Sequence, residues 1–180
     1  MAFIKAPDIT ARIKEIVLMG GGLFEGGNTT PAAEFNIYVD PEAADVVFHS
    51  GVPITVVPLD LTHFMLSTKA RVERFRALGN KTGIATAQML EFFERFDEQK
   101  YGWEGGPLHD PCVIAFLLKP ELFKGKHVNI AIETGSELTR GMTVVDWWGV
   151  TGRARNATYL RSGDADGFYD LLVERLKTLA

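Results

Sequence analysis

The stretch Pro41-Glu42-Ala43-Ala44-Asp45-Val46-Val47-Phe48-His49-Ser50-Gly51-Val52-Pro53-Ile54-Thr55-Val56-Val57-Pro58-Leu59 decides the fold. Its first half reads as a helix. Asp40 stands at the cap, Pro41 lies in the first turn, and Ala43, Ala44, Val46, Val47 and Phe48 give an apolar face to about Ser50. Gly51 stops it, since glycine tolerates the left-handed backbone that closes a helix. Ile54 to Leu59 is β-branched and free of charge, as a strand buried on both faces is. A helix feeding such a strand implies βαβ units and a mostly parallel sheet flanked by helices, an α/β fold.

Toward the N-terminus, Ile16-Val17-Leu18-Met19 reads as a first buried strand bounded by glycines. Met1 to Arg12 is short, helix-compatible and broken by Pro7. Between the strand and Asp40 lies Gly26-Gly27-Asn28-Thr29-Thr30-Pro31-Ala32-Ala33-Glu34-Phe35-Asn36. This polar loop follows the carboxyl end of a strand, where open α/β sheets bind ligands. Asn28, Glu34 and Asn36 suit a polyhydroxylated ligand, because amides donate and accept while a carboxylate accepts strongly. The same residues also suit a solvated turn, with Gly-Gly-Asn supplying positive φ and Glu34 facing water.

Past the second strand, Asp60 and His63 form either a site pair or the caps of a turn and the next helix. Ser67 or Thr68 caps a helix running to Leu78 and ended by Gly79-Asn80. Thr82 to Lys100 is the longest helical stretch. Its stripe of Met89, Leu90, Phe92, Phe93 and Phe96 serves either the core or an aromatic flap over a planar ligand. Tyr101, Gly102, Trp103, Gly105 and Gly106 follow, a composition suited to a mobile segment. Leu108-His109-Asp110-Pro111 opens a helix over Cys112 to Leu118, with Asp110 as N-cap and Cys112 as a small buried group. Val128–Ile132 and Thr143–Trp147 pair as a hairpin with a long connection, and Asn156–Leu160 adds a short strand. Asp164 to Leu179 closes the chain as an amphipathic helix that buries Phe168, Leu171, Leu172, Leu176 and Leu179.

Composition bounds the reading. The 180 residues suit one domain, 1–180, and 46% hydrophobic residues mark a globular chain. A net charge of -4 and a pI of 5.6 give no basic footprint for nucleic acid. One cysteine excludes an internal disulfide framework and fits a reducing compartment. Met1 to Glu15 is no secretory signal, and no stretch is apolar enough to span a bilayer, so the expected location is the cytoplasm. There is no Gly-x-Gly-x-x-Gly after a strand, no phosphate-binding loop and no Cys/His zinc spacing.

Taken together, Gly27-Asn28-x-Thr30-Pro31-x-Ala33-Glu34-Phe35-Asn36 and His109-Asp110 resemble two motifs of the inosine–uridine preferring nucleoside hydrolase family, in the same order. Asp40-Pro41-Glu42-Ala43-Ala44, Pro58-Leu59-Asp60-x-Thr62-His63 and Thr139-Arg140-Gly141-x-Thr143-Val144-Val145-Asp146 resemble it as well. The resemblance implies hydrolysis of the N-glycosidic bond of ribonucleosides to base and ribose, through an oxocarbenium-like transition state. It implies that Asn28, Glu34 and Asn36 hold ribose hydroxyls and that Met19 lines the ribose pocket. It makes His109 the acid for the departing base and Asp110 a ligand of a Ca²⁺ that grips the sugar and activates water. It places the protein in nucleoside catabolism and salvage.

The family's Asp-x-Asp-Pro-Gly-x-Asp-Asp string, source of most calcium carboxylates, is absent from the chain. The resemblance therefore implies the C-terminal part of a hydrolase, N-terminally truncated, with an added C-terminal hairpin and an incomplete calcium site. It also implies either a homo-oligomer or a partner that supplies the missing part. The alternative is a non-catalytic nucleoside-binding remnant or a subunit of a hydrolase assembly.

Overall fold

In the computed structural model, which describes residues 2–179 (for residues 94–101 the backbone only), the chain divides into two compact units. Each is taken by itself. The first runs through Leu61 and resumes over Lys124–Ser162, and the second comprises Thr62–Phe123 and the chain from Gly163.

The first unit holds α1 (Ala2–Lys5), a 3₁₀ turn over Pro7–Arg12, β1 (Ile16–Met19), α2 (Phe35–Val39), α3 (Pro41–Phe48), β2 (Ile54–Val57) and α4 (Leu59–Thr62). It continues with β3 (Phe123–Ile132), β4 (Thr143–Asp146) and β5 (Ala157–Gly163). The expected helix and strand of Pro41–Leu59 are both present. The Asp40 carboxylate accepts the Ala43 N–H at 2.9 Å, and Gly51 takes φ 76° just past the helix end.

The five strands are ordered β1-β2-β5-β3-β4. β1 runs parallel to β2 with Ile16 opposite Ile54, β2 runs parallel to β5 with Ile54 opposite Ala157, and β3 and β4 pair antiparallel with Ile130 opposite Val145. The expected hairpin is present as β3 and β4, and β5 lies between β2 and β3, so that all five strands form one sheet. One detail differs from the expectation. β1 is half-buried throughout, because it lies at the end of the strand order. The core of this unit gathers Ile54, Val56, Ile130, Ala157 and Tyr159 from the sheet with Ile37 and Phe48 from α2 and α3.

The second unit is helical: α5 (Lys69–Arg76), α6 (Lys81–Tyr101), α7 (Pro111–Leu118) and α8 (Ala165–Lys177). Met65, Phe75, Phe168, Tyr169 and Leu171 are fully buried large side chains of this unit, and Tyr169 donates its hydroxyl to the Met65 carbonyl at 3.1 Å. Arg71 and Arg74 of α5 pair with Asp166 and Asp170 of α8. Asp164 caps α8 through the Gly167 N–H at 3.0 Å. Leu179 is 52% exposed rather than buried, since it lies past the last turn of that helix. Ser67 and Thr68 do not cap α5: the Ser67 hydroxyl is spent on the Gly106 carbonyl at 2.8 Å, and Thr68 makes no side-chain cap bond. Among the described residues no helix is long and apolar enough to cross a membrane.

Candidate functional site

In the first unit the chain leaves β1 at Met19 and enters a glycine-rich turn tied to the end of β2. Gly20 donates to the Val57 carbonyl at 3.2 Å, and the Leu59 N–H donates to the Gly21 carbonyl at 2.9 Å. Gly21 has φ 79°, and a Cβ there would lie 2.6 Å from Thr143 Oγ1, so only glycine fits. The next turn closes on Asp60, which is 3% exposed. Its carboxylate accepts the N–H groups of Leu23 (2.8 Å), Phe24 (2.6 Å) and Glu25 (3.1 Å), and the Tyr159 hydroxyl at 2.5 Å. Burial, followed by the charge of Asp60, pushes the Tyr159 phenol far above its ordinary pKa, so it stays a donor. The guanidinium of Arg161 stacks 3.9 Å from the centre of the Phe24 ring.

This frame aims the polar loop. Glu34 is 3% exposed, so it does not face water as a solvated turn requires. It caps α2, accepting the Asn36 N–H at 3.0 Å, and reaches across the turn to accept the Gly21 N–H at 3.1 Å. Asn36 directs its amide at Met19, donating to the carbonyl and the sulfur, each at 3.4 Å. Asn28 Oδ1 accepts the Phe35 N–H at 2.9 Å. Gly27 permits the tight fold of the loop, since a Cβ there would lie 2.1 Å from the Thr30 carbonyl. The positive φ of the turn is carried by Gly26 alone, at 71°, and not by Asn28. Met19, Glu34 and Asn36 thus fall in one hydrogen-bonded system at the carboxyl end of β1, and Asn28 holds the neighbouring Phe35 N–H. The Thr143 hydroxyl beside Gly21 is buried without a hydrogen-bond partner.

In the second unit, Leu66 bridges Pro107, and the Leu108 N–H donates to the Met65 carbonyl at 3.0 Å. That pairing sets His109 beside Thr62, with Nδ1 2.8 Å from Oγ1. The His63 ring lies 6.1 Å from that of His109 and 4.7 Å from that of Trp103. Burial, and then His63, lower the His109 pKa to about 4 against the opposing pull of Asp110, so the imidazole is neutral at pH 7. Asp110 is exposed and itself helical, and it makes no cap bond to α7. The expected capping therefore fails, because a residue with φ −62° and ψ −37° continues the helix instead of preceding it.

Met89, Phe92 and Phe93 are 58–65% exposed, which removes them from the core, while Ala87 and Leu90 form the buried face of α6. The side chains of Phe96 and Tyr101 lie outside the described residues. Cys112 is buried as expected.

Calcium takes six to eight oxygen ligands. Among the described residues no three His, Cys, Asp or Glu side chains come together as a metal site. Asp110 with its surroundings is one carboxylate, and these residues alone do not fit the ion.

Asp60 is the residue whose place the sequence indicated least. Its partners lie up to 99 residues away, and the only available signal is an Asp directly after a charge-free strand.

A glycine-rich turn, a buried carboxylate and two asparagines stand at the end of a parallel strand in this α/β fold. Comparison with known proteins makes the class specific. Residues 1–170 match the family model described as inosine-uridine preferring nucleoside hydrolase. An uncharacterized protein of Schizosaccharomyces pombe is 50% identical over 99% of this chain and 58% of its own length. The pyrimidine-specific ribonucleoside hydrolase RihA of Salmonella schwarzengrund is 50% identical over 97% of this chain and 56% of its own. The solved structure of a purine-preferring ribonucleoside hydrolase from Gardnerella vaginalis superposes with a TM-score of 0.87 at 33% identity, covering 98% of this chain and 56% of that one. The chain belongs to the inosine-uridine preferring nucleoside hydrolase family. It spans a little over half the length of the curated relatives it matches.

Proposed function

We propose that this chain is the ribose-gripping part of a ribonucleoside hydrolase, one that cleaves the N-glycosidic bond to give base and ribose. The observation that carries the reading is the linked loop: Glu34 on Gly21 and Asn36, and Asn36 on Met19. Glu34 Oε1 and the exposed amide of Asn36 take ribose hydroxyls, Asn28 adds a third polar contact, and Met19 packs against the sugar. His109, neutral at pH 7, acts as the acid for the departing base: the N–H of the ring nitrogen not used by Thr62 donates to the base as negative charge develops there. Asp110 contributes one carboxylate toward calcium, and no step is assigned to the ion.

On this reading 1–180 forms one hydrolase-like domain. It works in the cytoplasm as a homo-oligomer or with a partner. The pure chain binds nucleosides without turning them over.

Calorimetric titration with inosine and with uridine tests the reading, since the named relatives prefer bases of both kinds. Saturable binding weakened about tenfold by Glu34→Gln or Asn36→Ala is expected, the size of one lost charged or buried hydrogen bond. Absence of binding of either nucleoside overturns the ribose assignment. Release of hypoxanthine or uracil by the pure chain, followed by chromatography, overturns the non-catalytic state.

A further inference from the structure

We propose that the basic pocket between β3 and the loop after β4 binds a phosphate group, at a place separate from the polar loop at the end of β1. Lys126, His127, Arg153 and Arg155 line it together with Asp146 and Trp148, around a cavity of about 50 Å³. One water needs about 10–15 Å³ of such space, so the cavity has room for a single compact oxyanion and not for a nucleoside. Three permanent cations thus face one carboxylate, in a chain whose net charge is -4.

That carboxylate is already spent. Asp146 accepts the Val150 N–H at 2.8 Å and the Thr151 N–H and hydroxyl at 2.9 and 2.6 Å, which closes the turn leading to Arg153. The far end of the segment is pinned to β3. Asn129 donates its amide to the Ala154 carbonyl at 2.7 Å, and the Asn156 N–H donates to the Val128 carbonyl at 3.0 Å. Lys126 is held by neutral partners: it donates to the Trp147 carbonyl at 2.6 Å, with its ammonium 5.3 and 5.8 Å from the ring centres of Trp147 and Trp148. These contacts fix its position and leave its charge uncompensated. Arg71, Arg74, Arg76 and Arg140 each meet a carboxylate, whereas Arg153 and Arg155 meet none among the described residues. Cations gathered without counter-ions repel one another, and a bound dianion relieves that repulsion. Guanidinium forks suit phosphate, whose oxygens they take in pairs. The pocket rests on none of the roles proposed above for Met19, Asn28, Glu34, Asn36 or His109.

The test titrates inorganic phosphate into the full chain, in chloride buffer, by calorimetry. Saturable one-to-one binding is expected. Arg153→Gln is expected to weaken it about tenfold, and Arg153→Gln with Arg155→Gln about 100-fold, each change removing a charged hydrogen bond. Both arginines are exposed, so the unfolding midpoint stays unchanged in these variants. Phenyl phosphate then identifies the source of the group. Binding tighter than that of phosphate and reduced by Trp148→Ala marks an aromatic monoester, of which a nucleotide is one, stacked on the exposed indole; any other ranking marks free phosphate. No saturation by about 10 mM phosphate, beyond the millimolar range of weak ligands, overturns the proposal. So does an equal loss from Lys5→Gln with Lys14→Gln, exposed cations outside the pocket, since that would be diffuse attraction. Nucleoside binding, read separately, bears only on the function proposed above.

Discussion

Asp60 accepts three consecutive backbone N–H groups and a phenol while almost wholly removed from water. An amide in its place keeps one accepting oxygen and brings an unwanted donor. Asp60→Asn is therefore expected to lower stability by about 3 kcal/mol, measured by urea unfolding. It is also expected to raise amide exchange at Leu23, Phe24 and Glu25 before the rest of the sheet. Asp146 makes a prediction that depends on pH. The Thr151 hydroxyl and N–H, with the Val150 N–H, lower its carboxyl pKa to about 2. The folded value lies below the ordinary one of about 4, so the turn is held above that pH and loosens as pH falls through the folded value. Exchange protection at Val150 and Thr151 should persist at pH 4 and fade toward pH 2. Cys112 is buried, its thiol pushed up to about 12 and donating to the Leu108 carbonyl at 3.0 Å. Thiol reagents are expected to label it only as fast as the chain opens. At this scale the sequence pointed to this loop, through resemblance, but not to the burial of Glu34. Loop carboxylates usually face water, and only the fold brings the Gly21 N–H to this one.

Among elements, those with strong local signals are where the sequence put them. α3 has its Asp–Pro start and glycine stop, and Asp40→Ala should cost about 1 kcal/mol, read as a shift of the denaturation midpoint. Caps failed where a tertiary partner outbid the helix end, as Gly106 did for Ser67. α6 failed in another way. Its aromatic stripe has the spacing of a core face, yet small Ala87 and Gly83 lie inside and Met89, Phe92 and Phe93 lie outside. Phe93→Gln is accordingly expected to change stability by no more than about 0.5 kcal/mol by thermal unfolding, where a core phenylalanine costs several times more.

For the whole molecule, the α/β class was legible from one helix–strand pair, whereas the order of the strands was not. β5 enters between β2 and β3, and nothing in seven residues announces neighbours so distant in the chain. Its placement predicts that a chain stopped at Arg155 shows no cooperative unfolding by circular dichroism. The same placement governs biosynthesis. A ribosome delivers the middle of this sheet last, so the flanking strands emerge with facing edges bare and wait seconds for their partner, at translation speeds of about 5–20 residues per second. During that wait the bare edges are open to pairing with other chains, the hazard that any unpaired strand carries.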